Sequence, residues 1–356
     1  MPHKSPMAEM AATTPTQFWN DNCSPHDLAF SIGHGAVGGT TNPVNVGQVL
    51  SGDLPSYKPM IKALIAANPS ATEDDIAWAV NETMAQEAAK LLHPIYVKSG
   101  KKTGYMSIQT NTKFYRSAEK LTAQALHFST LAENIMVKIP ATTAGIAAME
   151  ECTYRGVNVN ATVCFTVPQA LAVAEAIARA MAKREAEGLD NSFLHPVCTI
   201  MVGRVDDYLS IQAEKENIIV DPAAISMSGI AICKRAYSLY KQRGYHTKLL
   251  IAAYRHHHHW SDFIGGDIAM TIPPMWIRRF VDSDITVENR MDSPVPPQLV
   301  DQLKKHFPDF VKAYEPEGLT VEDFTDYGMT KRTLGQFLAA YDEMVGVVRS
   351  VMMGKP

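Results

Sequence analysis

The stretch Ile135-Met136-Val137-Lys138-Ile139-Pro140-Ala141-Thr142-Thr143 decides how this chain is read. It is an apolar run of β type that carries one lysine, stops at Pro140 and opens onto a helix start at Thr142 or Thr143. A solvated lysine has no need of Ile, Met, Val and Ile around it. Snorkelling from a strand end accounts for it structurally. Functionally, a lysine at the end of a buried strand loses hydration, its pKa falls, and its neutral amine can attack a carbonyl. The segment alone leaves both readings open.

Outward from it, similar runs alternate with helical patterns: Gln17–Asp21, Ala36–Thr41, Gly104–Gln109, Ile135–Ile139, Val157–Thr162, Pro196–Val202, Lys248–Tyr254 and Asp267–Ile272. Such alternation predicts a parallel α/β fold, and eight strands predict a closed (β/α)8 TIM barrel over residues 17–280. Residues 1–16 read as a flexible N-terminal extension. Residues 281–356 read as a C-terminal helical extension packed on the barrel, with helical stretches near 297–314 and 330–353. The last of these carries Leu334, Phe337, Tyr341, Met344, Val348 and Met352 on one face, suited to the barrel, the active-site mouth or an oligomer interface. Ser70-Ala71-Thr72-Glu73 reads as a capping box before a stripe of Ile76, Val80, Met84, Ala88 and Leu91. Residues 170–185 form an outer barrel helix with Leu171, Ala174, Ile177 and Met181 on its buried face.

The chain has 356 residues, 46% of them hydrophobic and 20% charged, with a net charge of −4. There is no extended basic stripe, so neither nucleic acid nor an anionic membrane surface is an expected partner. Five cysteines at irregular spacings, without Cys-x-x-Cys, predict neither a disulfide framework nor a structural zinc site, and fit a reducing compartment. With no apolar leader-like segment and no run of membrane-spanning length, a cytoplasmic protein is expected.

In a barrel of this kind catalytic groups sit at the C-terminal ends of the strands. Collected in order, those ends offer Asp21, Asn42, Gln109, Lys138, Asn160, Thr162, Thr199, Arg204 and Arg255. The set has a chemical use. Lys138 can form an iminium with a ketose, an electron sink for cleaving the bond two carbons along, while Asp21 takes and returns a hydroxyl proton. Asn42 and Asn160 can hold sugar hydroxyls, and Arg204 and Arg255 can hold a phosphate or similar anion.

The chain resembles the transaldolase family of class I, Schiff-base aldolases. The resemblance rests on Phe18-Trp19-Asn20-Asp21, Gly39-Thr40-Thr41-Asn42-Pro43, Val137-Lys138-Ile139-Pro140-Ala141-Thr142 and Gly156-Val157-Asn158-Val159-Asn160-Ala161-Thr162. Val202-Gly203-Arg204-Val205-Asp206, Ala252-Ala253-Tyr254-Arg255 and the segment Gly266 to Pro273 extend it. It implies that Lys138 is the Schiff-base lysine and Asp21 the acid/base. It further implies that Asn42, Asn160 and Thr199 contact substrate, that Thr162 places the catalytic water, and that Arg204 and Arg255 form the phosphate site. The implied reaction moves a dihydroxyacetone unit between sugar phosphates, as in the pentose phosphate pathway, with no cofactor and no metal. A homo-oligomer is left open.

Three positions depart from that pattern. Gln109 stands where a glutamate usually assists the catalytic water, and an amide orients water without taking its proton. This resembles the fructose-6-phosphate aldolase branch, which pairs the glutamine with a tyrosine where this chain has Met201 and transaldolases usually have phenylalanine. Ala253 replaces a serine of the phosphate site, so another acidic end group, such as a sulfonate, is conceivable. Finally, His256-His257-His258-His259 follows Arg255 directly. Adjacent side chains diverge, so at most one pair, His256 and His259 on a helical turn or alternate residues if extended, can share an ion, and no carboxylate beyond Asp262 is near in sequence; substrate-anion contacts or a polar loop at the barrel mouth are expected there and not a metal site.

Overall fold

Parallel strands covered on both faces are buried along nearly their whole length, and the eight strands here follow that rule, with only the first residues Gln17 and Lys248 partly exposed. They are β1 (Gln17–Asn20), β2 (Gly38–Thr41), β3 (Tyr105–Gln109), β4 (Ile135–Pro140), β5 (Val159–Cys164), β6 (Val197–Met201), β7 (Lys248–Ala252) and β8 (Ala269–Ile272). In the computed structural model, which describes residues 4–354, each strand pairs in parallel with the next and β8 returns to β1. The closed (β/α)8 barrel expected from the strand count is the fold. β7 ends early because Ala253 adopts φ +68°, which leaves strand geometry.

Side chains alternate across each strand, so Trp19 and Asp21, Met136 and Lys138, or Tyr105, Ser107 and Gln109 face the same way. Trp19, Tyr105, Met136, Val197, Leu250 and Ala269 pack together as an apolar floor inside the barrel. Two residues further along several of the same strands come the polar groups of the candidate site. The floor thus excludes water from beneath them.

The outer helices follow local rules. Thr142 accepts from the Gly145 N–H at 3.1 Å and caps the helix Thr143–Tyr154 immediately after β4. Thr72, not Ser70, caps the helix Glu73–Lys98, in a capping box with Asp75. Leu91 is 41% exposed and the neighbouring Leu92 fully buried, so the apolar stripe turns by one residue late in the helix. Residues 4–16, expected to be flexible, instead include a helix, Pro6–Thr13, capped by Ser5, with Met7 and Met10 fully buried. The Trp260 indole N–H reaches the Met10 sulfur at 3.0 Å. Two buried methionines give the segment an apolar anchor that its short pattern did not reveal.

Beyond β8 the expected stretch 297–314 is two helices, Pro297–His306 and Pro308–Tyr314, divided at Pro308. The C-terminal helix Gly328–Met352 buries Leu334, Phe337, Tyr341, Met344 and Val348 against the helices Pro43–Gly52 and Glu73–Lys98. Trp78 stacks on Tyr341, and Arg349 pairs with Glu73. Among the described residues, no helix is long and apolar enough to cross a membrane.

A Cβ at Gly145 would lie 1.7 Å from the Pro140 carbonyl oxygen, so the helix after β4 can seat only with glycine there. Gly145→Ala is expected to cost about 1–3 kcal/mol in urea unfolding through this overpacking. Gly335→Ala, in the open middle of the C-terminal helix with nothing within 4 Å of its Cβ, should instead stabilise by up to about 1 kcal/mol. Equal effects at the two positions would contradict this account of the β4 junction.

Candidate active site

Lys138 lies on β4 with Gln109 of β3 and Asn160 of β5 as its Cα neighbours across the ladder. It is 2% exposed. Burial lowers its pKa from 10.5; the nearby Asp21 carboxylate opposes this and the Arg204 guanidinium reinforces it. The amine is therefore easier to deprotonate than a surface lysine. That is the condition for attack on a carbonyl.

Asp21 follows β1. The Thr40 hydroxyl donates to its Oδ1 at 2.7 Å and the Asn45 side-chain amide donates to the same oxygen at 3.0 Å. Because Thr40 spends its proton on the carboxylate, Thr271 must donate to Thr40 across their 2.6 Å contact. The relay fixes Oδ1 and leaves Oδ2 uncommitted. Asn42 is the N-cap of the helix Pro43–Gly52, its Oδ1 accepting from the Asn45 N–H at 3.0 Å. Only its amide N–H2 remains for a ligand.

A second polar layer crosses the barrel. Thr199 donates to Asn160 Oδ1 at 2.6 Å, and Asn160 Nδ2 donates to Ser107 Oγ at 3.0 Å, which locks the Asn160 amide in one orientation. Gln109 donates to Thr112 at 3.2 Å, and its Oε1 is buried without a partner, as is the Thr162 hydroxyl. Next to Thr162 the β5–β6 register shifts, and Val163 takes φ +52°, a strained conformation for a β-branched residue. Two orphaned polar atoms on the strands flanking β4 are positions where a substrate oxygen or a water can be held.

The two arginines are brought together by a backbone approach. Gly203 N–H donates to the Ala253 carbonyl at 2.9 Å, and a Cβ at Gly203 would lie 2.0 Å from that oxygen. Arg204 bonds Gln336 of the C-terminal helix, stacks 5.2 Å over Phe337, and keeps its Nε buried without a partner. Burial, with Arg255 and Arg332 adding repulsion, pushes its pKa down to about 10. Arg255 is already matched: Asp207 accepts from its Nε at 2.8 Å and from Nη2 at 2.6 Å. Arg204 is thus the guanidinium short of an anion.

The histidine run resolves differently from expectation. A carboxylate does stand beside it, contributed from 50 residues upstream: Asp206 Oδ2 lies 2.9 Å from His259 Nε2 and 3.3 Å from His256 Nε2. These three groups are close enough to share an ion. Their protons argue otherwise. His259 Nδ1 accepts from the Arg255 backbone N–H at 3.0 Å, so neutral His259 must carry its proton on Nε2, facing Asp206. Burial lowers the His259 pKa in spite of Asp206, which keeps the ring in that neutral form. The other oxygen of Asp206 accepts from Ser228 Oγ and Gly229 N–H at 2.9 and 3.1 Å. Burial works to raise the Asp206 pKa, but the bonds from His256 and His259 outweigh it and the net direction is down. His259 therefore braces the backbone of Arg255, with the Asp206 carboxylate beside its other ring nitrogen.

Lys138, Asp21, Asn160, Thr199, Gln109, Thr162 and the two arginines converge at one end of the barrel, with Asn42 at the edge as a cap. Sequence reasoning did not assign roles to Thr40, Asn45 and Thr271, which hold Asp21, or to Asp206, Asp207, His259, Gln336 and Phe337, which hold the arginines. Thr40 was visible in the Gly-Thr-Thr-Asn-Pro segment. The others are contributed by elements far apart in the chain.

Residues 18–344 match the family described as Transaldolase/Fructose-6-phosphate aldolase. The chain is 29% identical over 219 residues to Transaldolase 1 of Streptomyces avermitilis, an alignment covering 61% of this chain and 57% of that protein. It is 30% identical over 233 residues to Transaldolase of Neisseria gonorrhoeae, covering 64% of each chain. Against Transaldolase 1 of Streptomyces coelicolor it is 29% identical over 210 residues, covering 58% of this chain and 54% of the other. The chain thus spans less than two thirds of the length of these relatives.

Two outcomes follow from the geometry. A lysine whose folded pKa is depressed below 10.5 makes the unfolded chain bind more protons between the two values, so stability rises with pH across that window and is diminished below it. Lys138→Met should raise Tm at pH 7, with the gain shrinking as pH approaches 10.5; a lower Tm at pH 7 would show that Lys138 is held by stabilising contacts instead. His259→Phe leaves the Arg255 N–H without its acceptor and should cost about 1–3 kcal/mol in chemical denaturation. No loss of stability would rule out the brace.

Proposed function

The chain belongs to the transaldolase/fructose-6-phosphate aldolase family, and from that premise we propose that it moves a dihydroxyacetone unit between phosphorylated sugars through an imine on Lys138. The observation that carries the reading is a fully enclosed lysine of lowered pKa close to an aspartate with one uncommitted oxygen. Neutral Lys138 attacks the ketose carbonyl, and loss of water gives an iminium. Asp21 then takes the proton of the hydroxyl two carbons along, the intervening C–C bond breaks, and its electron pair flows into the iminium to give an enamine. The first aldehyde departs. An acceptor aldehyde is attacked by the enamine, Asp21 returns its proton to the new alkoxide, and water releases the product ketose from Lys138.

Chain residues supply the positioning. Asn160, held by Ser107 and Thr199, presents a fixed amide edge to substrate hydroxyls, and Arg204 with its unpaired Nε takes the acidic end group. Ala253 offers no hydroxyl to that end group, and its carbonyl is occupied by Gly203, which suits a sulfonate as well as a phosphate.

One observation favours a second outcome. Gln109 can orient water at the imine but cannot deprotonate it, a feature shared with the aldolase branch, in which the three-carbon unit is released to solvent. Incubation with a ketose phosphate and borohydride is expected to add the reduced three-carbon unit to Lys138, seen by peptide mass and absent in Lys138→Ala. With acceptor omitted, a transferase stalls after one turnover per site while an aldolase continues. No adduct with any ketose would end the imine reading.

A further inference from the structure

At the N-terminal ends of the strands, the barrel end remote from Lys138, lies a cavity of about 250 Å³. Gln17, Tyr105, Val197 and Lys248, the first residues of β1, β3, β6 and β7, border it. Asp21, Lys138, Arg204 and Arg255 do not. Catalytic groups of (β/α)8 barrels stand at the opposite face, so this space is separate from the imine site.

Its depth is apolar and its rim is basic. Trp19, Tyr105, Met136 and Val197 line it from the apolar floor, while Lys102 and His246 are exposed at the rim and His195 and Lys248 half-buried. No carboxylate is among the lining residues that the structure describes. Lys248 meets Asp267 at 2.5 Å, and of the four basic groups only it has an ion-pair partner among the described residues. The His246 Nε2–H donates to the Leu194 carbonyl at 2.9 Å, and the His195 backbone N–H donates to Asn158 Oδ1 at 2.6 Å. Both histidines are thereby held at the same rim.

These charges oppose one another. Burial pushes the His195 pKa below 6.5, and His246, Lys102 and Lys248 add repulsion. The neighbouring Tyr105 hydroxyl gives no relief, since it donates its proton to the Lys101 carbonyl at 2.7 Å. A cleft lined by one sign of charge concentrates ions of the other. A bare inorganic anion would satisfy the rim and leave the floor wet, whereas a neutral apolar molecule would cover the floor and leave the charges unmatched. Only a ligand with both parts suits the whole surface. The volume lies below the usual range for ligand sites, about 300–1,000 Å³, which limits the occupant to a small molecule.

We propose that this cavity binds a small organic carboxylate with an aromatic or branched apolar body, the body on Trp19 and Met136 and the carboxylate among Lys102, His195 and Lys248. Trp19 and Met136 precede Asp21 and Lys138 by two positions on the same strands, so the occupant rests on the floor of the active site from beneath. Such binding is independent of the imine on Lys138.

Benzoate is a suitable probe, with benzamide as its neutral counterpart and acetate as the charge without the body. Titration calorimetry of the full chain should show saturable benzoate binding, with benzamide and acetate each at least about tenfold weaker. Lys102→Glu and His195→Gln should each weaken benzoate at least about tenfold, with Tm unchanged in Lys102→Glu because that side chain is exposed. In histidine-labelled NMR, the His195 pKa should rise by about one unit when benzoate binds. Arg204→Ala should leave the affinity as it is. Benzoate binding abolished by Arg204→Ala and untouched by Lys102→Glu would place the anion at the substrate's end-group site and overturn the proposal. So would the absence of saturable binding, an unmoved His195 pKa, or acetate binding as tightly as benzoate.

Discussion

A primary amine is a nucleophile only when it is free of its proton, and in this barrel the low-polarity surroundings of Lys138 weaken that proton's hold. The rest of the site is shaped by that constraint. The apolar floor of Trp19, Tyr105, Met136, Val197, Leu250 and Ala269 keeps water away from below, and the ladder neighbours Gln109 and Asn160 are uncharged. The one nearby carboxylate, Asp21, pulls the pKa of Lys138 back up, while Arg204 pushes it down. An acid and a guanidinium around one amine act on its proton in opposite directions, so the lysine is not locked into a permanent ion pair.

Polar groups inside a barrel need partners, and here the partners also set orientation. The Thr271–Thr40–Asp21 relay and the Thr199–Asn160–Ser107 chain satisfy buried hydroxyls and amides and fix which edge each presents. Among the buried polar atoms that lack partners, Gln109 Oε1, the Thr162 hydroxyl and Arg204 Nε belong to this site. They are places where the protein has left hydrogen-bonding capacity unspent. The departures from the family pattern fall in the same zone, since Gln109 lies among them, and Met201 and Ala253 sit on the strand ends that lead to the arginines.

The arginine end depends on backbone more than on side chains. Gly203 and Ala253 meet at a distance no larger residue at 203 permits, with Ala253 in a left-handed conformation, and His259 then accepts the N–H of Arg255. The C-terminal helix completes that end by placing Gln336 and Phe337 against Arg204. Its apolar face was legible as a stripe, but stripes do not say which surface they cover. The face settles chiefly on two outer helices, and it meets Arg204 through its own Phe337 and the adjacent Gln336.

The sequence by itself determined the barrel, because strand–helix alternation repeats eight times and each apolar run ends in turn or capping residues that act locally. It also determined the position of Lys138, since a lysine in an apolar strand end is anomalous on short-range grounds alone. Only the tertiary structure decided what surrounds that lysine and the arginines. Asp206 reaches the histidine run from 50 residues away, Thr271 reaches Thr40 from 231, and Gln336 reaches Arg204 from 132. Such contacts are fixed by barrel closure and by the packing of the last helix, whose side-chain pattern records that a face is buried but not its partner.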